Sequence, residues 1–533
     1  MTRRMSKALI GAAALLVVAA VGCTDTTVQP KSTITDANVF TDVNSYQAFL
    51  AKIYGGLALS GQQGGAGQPD LDPNFDEGFS QYLRLYWEME ELPTDEALIA
   101  WNDVGLPEMN TMTWNPQSNM LVMMYYRIGL QVAWANEFLR QTTDASLSSR
   151  GVSASMKATI QTYRAEARFL RAYAYWHGMD LFGSIPLVTE ADPVGGTPPA
   201  QATRQEIYDF VVSELTDIQA DLPASTPANY GRATQQSANM LLAEVYLNAE
   251  VYTGTAQWAS ALNAAQTVIT SNAYTLNPVY RNNFMADNNT SPEIIFAIAF
   301  DGAHTQTWGG TTFLEHAACG GSMSNGTYGV DGCWWGIRLK PEAYLRYGAG
   351  DGRTSYMVGP SGGQQVAVTS IADFTNGVAA PKFSNRTSAG VAGVNPTFPD
   401  TDFPVWRLSE AYLIYVEAFL RGGGGTAAQA LTYFNAIRER AYGNTNGDLT
   451  IGQMVPGAAM LDTLLNERGR ELLWEAHRRT DLIRYGLFTG GTYNWAWKGG
   501  VLAGTATDPK FNLLPIPASE LVANPNLTQN PGY

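Results

Sequence analysis

Five aromatic residues stand in loops that lack any helical period. Trp101 follows the acidic stretch "ELPTDEALIA", Trp308 sits in "HTQTWGG", and Tyr328, Trp334 and Trp335 lie in or just after "CGGSMSNGTYGVDGC". An indole left in water is unfavourable unless something covers it. A sugar ring offers such a cover: its C–H face stacks on an indole, and its hydroxyls need short polar side chains at the rim. Asn102, Asp103, Asn325 and Asp331 stand beside these aromatics. The competing reading is that the rings pack the loops onto the body. For the adjacent Trp334 and Trp335, one ring can face inward and the other outward.

Catalytic chemistry is harder to find. Asp95, Glu96 and Asp103 could supply the two acids that a glycosidase sets across a sugar bond, but sequence does not give their separation. No Walker loop or His-Glu-x-x-His occurs in the chain, and the one Gly-x-Ser-x-Gly run, Gly359-Pro360-Ser361-Gly362-Gly363, stands in an irregular stretch and not at the strand-to-helix turn of a nucleophile elbow. No catalytic residue, resident metal or cofactor is therefore assigned. Of three cysteines, Cys319 and Cys333 bracket a glycine-rich loop. In an exported chain they read as a disulfide, worth ~3 kcal/mol for a loop of this size. The rival is a zinc site of His304, His316, Cys319 and Cys333.

Export is read from the N-terminus. Arg3, Arg4 and Lys7 precede an apolar run from Ala8 to Val21, and the run ends at Gly22-Cys23. That is a signal-peptide layout with the cysteine a bacterial lipoprotein needs. The expectation is a signal peptide over 1–22, lipidation of Cys23, and a polar tether over 23–40. Cleavage takes the net charge from −15 to −18, since residues 1–22 carry three cations and no acid. Such a chain is a poor partner for nucleic acid, which needs clustered Lys and Arg.

The elements that must hold the loops are helical. Apolar residues recur at three and four over 45–59, 117–142, 155–183, 204–220, 234–252, 257–271, 407–421, 426–441 and 460–478. Short polar turns separate them, as in "FLRGGGGTAAQAL". The fold class is mostly α, with tetratricopeptide-like helical hairpins as scaffold. Two irregular excursions, about 61–116 and 277–406, interrupt a single domain over 41–533, and "EIIFAIAF" (293–300) reads as a strand. Charged runs such as Glu467, Arg468, Arg470, Glu471 and Glu475, and Arg164, Glu166, Arg168 and Arg171, fit pairs along and between helices. Arg479 and Asp481 could tie their helix to a neighbour. His177 and His477 read as packed histidines within helices.

Several stretches together resemble the SusD/RagB family of outer-membrane nutrient-uptake lipoproteins. They are "YRAEARFLRAYAYWHGMDLFGSIPLV", "GRATQQSANMLLAEVYL", "DFPVWRLSEAYLIYVEAFLR", "ERGRELLWEAHRRTDLIRYG" and the ending "LLPIPASELVANPNLTQNPGY". The resemblance implies a lipid-anchored protein of the outer membrane, facing the exterior. It implies a glycan ligand and a SusC-like TonB-dependent transporter as partner. It also favours Trp101 and the 300–336 segment as ligand-binding. A peptide-binding member of the family and a surface glycan hydrolase are the alternatives.

Overall fold

The computed structural model describes residues 39–533 apart from 41, 62, 63 and 73. The expected signal peptide and Cys23 lie outside the described residues. Two units are distinguished, Met1–Tyr46 and Gln47–Tyr533. Within the described part of the first, Phe40 meets Tyr46 with ring centroids 5.0 Å apart.

Long helices come where the apolar period places them: α1 (Val43–Ala58), α3 (Asn119–Gln141), α4 (Ala154–Phe182), α5 (Arg204–Asp217), α6 (Gln235–Leu247), α7 (Trp258–Thr270), α9 (Leu408–Leu420), α10 (Ala427–Tyr442) and α11 (Ala458–Glu471). Their ends follow local chemistry. Ser153 caps α4 through the Met156 N–H, and Gly183 closes it at φ 75°. Thr203 and Glu206 form a reciprocal capping box on α5. The helices pack on one another, α3 on α4, α4 on α5, α6 on α7, and α9 against both α7 and α10. Among the described residues, no helix is long and apolar enough to cross a membrane.

Short helices such as Leu106–Thr111 and Pro341–Leu345 stand within the stretches expected to be irregular, and three larger departures bear on the site. The first excursion contains a buried helix, α2 (Tyr82–Glu91), all of whose residues are buried. Its burial on every side, with Glu88, Glu90 and Glu91 inward, erases the one-sided pattern that reveals a helix. The second excursion contains α8 (Gly310–Ala317), likewise buried throughout. The helix expected to run to 478 stops at Glu471, and α12 (Arg478–Arg484) starts afresh. Between them Trp474 and Ala476 adopt left-handed φ of 61° and 64°. Tertiary bonds hold this break: the Trp474 carbonyl accepts from Trp87 Nε1 at 3.1 Å, and the Ala476 N–H donates to Glu91 at 2.8 Å. His477 thus precedes α12 rather than lying inside a helix. His177 is inside α4 as expected, stacked on Tyr86 with centroids 3.8 Å apart.

Two small antiparallel sheets complete the frame. β1 (Ala97–Ile99) pairs with β3 (Ile337–Leu339), with Ala97 opposite Leu339 and Ile99 opposite Ile337. β2 (Ile294–Ile298) pairs with β4 (Phe403–Arg407), which leads straight into α9. The charged runs bridge elements more than they pair along one helix. Arg407 meets Glu293 at 2.6 Å, Glu475 at 2.7 Å and Glu471 at 2.9 Å, all buried. Arg353 holds Asp351 and Glu467 at 2.7 and 2.8 Å. Arg168 and Arg171 both reach Glu214, tying α4 to α5. Arg479 reaches from α12 to Asp180 at 2.6 Å, while Asp481 pairs with Arg468 and Arg484. The C-terminal tail packs back on the body, where Asn530 donates to the Phe182 carbonyl and Trp114 to the Tyr533 hydroxyl.

Candidate functional site

The two-stranded β1–β3 sheet positions the centre of the site. β1 runs directly into Trp101, and Trp334-Trp335-Gly336 immediately precede β3. Pairing continues past the strands, since the Ala100 N–H donates to the Gly336 carbonyl at 3.0 Å. Residues 233 positions apart are thereby brought together, and Trp101 Nε1 donates to the Trp334 carbonyl at 3.0 Å. Gly336 is required at this crossing: a Cβ there would lie 2.7 Å from the Trp101 ring.

Trp308 arrives from the turn before α8. Its backbone N–H donates to Glu77 at 2.8 Å, and its Nε1 to the Gly65 carbonyl at 2.9 Å. The result is a row of three half-buried indoles. Trp334 is central, 6.3 Å from Trp101 and 6.1 Å from Trp308 between ring centroids. Their planes tilt by 46° and 48°, so the row is faceted rather than flat.

The rings are braced from behind. Phe313 meets Trp101 edge-on at 5.9 Å, and the Arg84 guanidinium, paired with Glu88, lies 5.7 Å from that indole. Burial raises the Glu88 carboxyl above its usual value, against the pull of Arg84. His316, on α8, stacks on Trp334 at 4.5 Å. Phe398 packs on Trp308 at 5.0 Å. Sequence reasoning missed Phe398, Arg84 and the role of His316. None stands next to a recognisable motif, and each reaches the site only through the tertiary fold.

The other expected residues divide. Asn102 and Asp103 are exposed next to Trp101, and Asp331 is exposed near Trp334. Asn325 is half-buried and committed within its own loop, its Nδ2 donating to the Asp331 carbonyl at 2.8 Å. Tyr328 does not join the row. It is 8% exposed and packs with Cys319 and Val330 beneath the loop. Trp335 does not join the row either, since the backbone there leaves the extended path that strand alternation needs. It is 50% exposed at φ 58°, with Phe374 at 6.0 Å.

Cys319 and Cys333 are joined, so neither thiolate is free for the zinc site considered from sequence. The bridge ends one residue before Trp334, and the Trp335 N–H donates to the Cys319 carbonyl at 3.0 Å. Asp95 and Glu96 are also committed elsewhere. Both are buried, with Asp95 held by Arg478 and Arg346 at 2.7 Å and Glu96 by Arg346 at 2.7 Å. Burial opposes the Asp95 charge, but Arg478 and Arg346 outweigh it and hold the carboxyl well below the usual range. These two acids serve the core and do not flank the indoles as a catalytic pair.

Known proteins share this organisation. The family model described as "SusD family" matches residues 356–533, and one described as "Starch-binding associating with outer membrane" matches residues 88–247. The chain is 33% identical to "Starch-binding protein SusD" of Bacteroides thetaiotaomicron, over 91% of this chain and 92% of that protein. It is 26% identical to "SusD-like protein P2" of Formosa agariphila, over 74% and 78%. Among solved structures, a SusD homolog from Bacteroides thetaiotaomicron superposes with TM-score 0.74 at 19% identity, covering 93% of this chain and 98% of that one. A surface glycan-binding protein A of the same organism, in complex with laminarihexaose, gives 0.68 at 20%, covering 91% and 99%. With 33% identity to the starch-binding relative sustained along nearly the whole of both chains, the protein belongs to the SusD family of glycan-binding proteins associated with the outer membrane.

Proposed function

We propose that the protein is a non-catalytic, surface-exposed lipoprotein that captures oligo- or polysaccharide on the Trp101–Trp334–Trp308 row and passes it to a SusC-like TonB-dependent transporter. The carrying observation is the row itself: three contiguous indoles, partly open to solvent and braced from behind, with Asn102, Asp103 and Asp331 at the margin. Stacked sugars cover the indole faces, and the rim groups answer the hydroxyls. Planes tilted by 46° and 48° suit a glycan chain that turns from residue to residue better than a flat ribbon. The starch-binding relative makes an α-glucan the first candidate, and the laminarihexaose complex of a structural neighbour makes a β-1,3-glucan the second. The lipid on Cys23 holds the row at the membrane, where local ligand concentration and transporter contact count most.

Calorimetric titration with maltoheptaose, laminarihexaose, cellohexaose and a peptide digest tests this reading. Binding of a curved glucan, with weak or no binding of cellohexaose, supports it. Saturable binding of peptides alone would move the assignment to the peptide-binding alternative. Release of new reducing ends from polysaccharide by the purified protein would establish a hydrolase instead. Co-purification of a TonB-dependent barrel from membranes tests the partner.

A further inference from the structure

The row of indoles rests on a histidine whose two ring nitrogens both face carbonyl oxygens. His316 is fully buried. Its Nδ1 lies 2.7 Å from the Gly332 carbonyl, and its Nε2 lies 3.0 Å from the Thr397 carbonyl. A neutral imidazole has one N–H and one lone pair, so it can satisfy only one of these acceptors and sets its lone pair against the other. The imidazolium, with two N–H groups, satisfies both. Its face stacks on Trp334 at 4.5 Å and 26°, an arrangement that a positive ring strengthens.

The two carbonyls belong to the two segments that shape the platform. Gly332 is two residues before Trp334, whose own N–H donates to the His316 carbonyl at 2.7 Å. Thr397 adjoins Phe398, which packs on Trp308. We propose that His316 is a proton-dependent positioning residue: as an imidazolium it clamps the Gly332 and Thr397 segments together behind Trp334, and glycan binding tightens as the pH falls. This rests on the reading of the indole row as the glycan site.

The surrounding charges set the direction. Asp331 faces the ring from its own segment, 3.9 Å from Nδ1, and also accepts from the Thr397 hydroxyl. Residues 395–398 bring no charge. Glu315, the neighbour on α8, is buried, and burial pushes its carboxyl well above the usual value, toward the neutral form. Burial pushes His316 below 6.5, opposed by the Gly332 carbonyl, Asp331 and the Thr397 carbonyl. The clamp therefore closes on the acid side of an ordinary histidine titration.

The experiment combines two readouts. Imidazole NMR of the ligand-free protein follows its four histidines, with His316 assigned by His316→Phe, which keeps a ring against Trp334 and removes both ring nitrogens. The Trp101 indole N–H, bonded to the Trp334 carbonyl, reports the platform and should shift with the His316 midpoint. The dissociation constant for maltoheptaose, or for laminarihexaose if that is the glucan bound, should be about fivefold weaker at about pH 8 than at about pH 5. Its midpoint should match the ring titration, and His316→Phe should bind weakly and without that pH dependence. If His316→Phe fails to fold, Asp331→Asn serves: removing the nearby carboxylate should move the ring midpoint and the Trp101 shift to lower pH together. A Trp101 resonance indifferent to His316 titration, or a pH-dependent affinity surviving in His316→Phe, overturns the clamp. If neither glucan binds at any pH, the glycan reading fails, while the ligand-free coupling of His316 to Trp101 still decides the clamp.

Discussion

Truncating Trp334 should separate a binding platform from mere loop packing. Its indole is the middle of the row, within 6.1–6.3 Å of both Trp308 and Trp101. Trp334→Ala removes the face that a central sugar would use, yet leaves the main-chain carbonyl that accepts from Trp101 Nε1. The first flanking indole therefore keeps its anchor. Loss of a central aromatic anchor typically costs about 2 kcal/mol of binding, which is roughly thirtyfold in affinity. Loss of a flanking ring in Trp101→Ala or Trp308→Ala should cost about 1 kcal/mol, or roughly fivefold. Trp335→Ala, at a ring that packs with Phe374 and not with the row, should leave affinity within about twofold. Stability should respond less in Trp334→Ala, since the half-buried ring gives up mainly its stack on His316, worth about 1 kcal/mol. Titration calorimetry with the bound glucan and thermal unfolding, measured on all four variants, provide the check. Unchanged affinity in Trp334→Ala, or an equal loss in Trp335→Ala, would refute the assignment of the row.

Opening the Cys319–Cys333 bridge, by reduction or by Cys319→Ser/Cys333→Ser, should lower stability by about 3 kcal/mol and also weaken glycan binding, because the bridge ends beside Trp334; equal affinity in the folded fraction of the double variant would show that the bridge does not position the ring. Glu467 is buried between Arg353, Arg470 and Arg438, and these cations pull its pKa down to about 2 against the cost of burial. A depressed carboxyl contributes stability above its unfolded value that is lost as the pH falls through its folded value. About 3 kcal/mol should therefore disappear between about pH 4.5 and pH 2, and Glu467→Gln should unfold more easily at neutral pH and lose that part of the acid dependence in denaturant titrations. Labelling with palmitate should mark the protein through Cys23, and Cys23→Ala should abolish the label and release the protein from membranes, as cell fractionation would show.

Much of the scaffold was legible because its helices are one-sided. α3, α5, α7 and α10 carry a buried apolar stripe against a polar face, and that period survives in any window of the sequence. The terminal motifs carried the family for a related reason, since their charges and prolines stand at fixed spacing. α2 and α8 were hidden because burial on all sides leaves no period to read. The break at Trp474 and Ala476 was hidden because the helical pattern continues through it, and only bonds from Trp87 and to Glu91 make the left-handed turns worthwhile.

The candidate site divides along the same line. Composition and spacing alone determined the glycine-rich setting of the aromatics and the polar residues beside them, and left the two loop cysteines between a disulfide and a zinc site until the fold joined them. Which aromatics share a surface was decided by the β1–β3 register, which sets Trp101 against Trp334 across more than two hundred residues. Trp335, at a left-handed turn before β3, meets Phe374 instead, and packing under the disulfide took Tyr328 out of the row. Asp95 and Glu96 read as available acids until Arg346 and Arg478 were seen to claim them. A sequence records the local preferences of each segment, but the energy of bringing distant segments together depends on long-range pairing and burial. Those contacts decide which side chains remain free to meet a ligand.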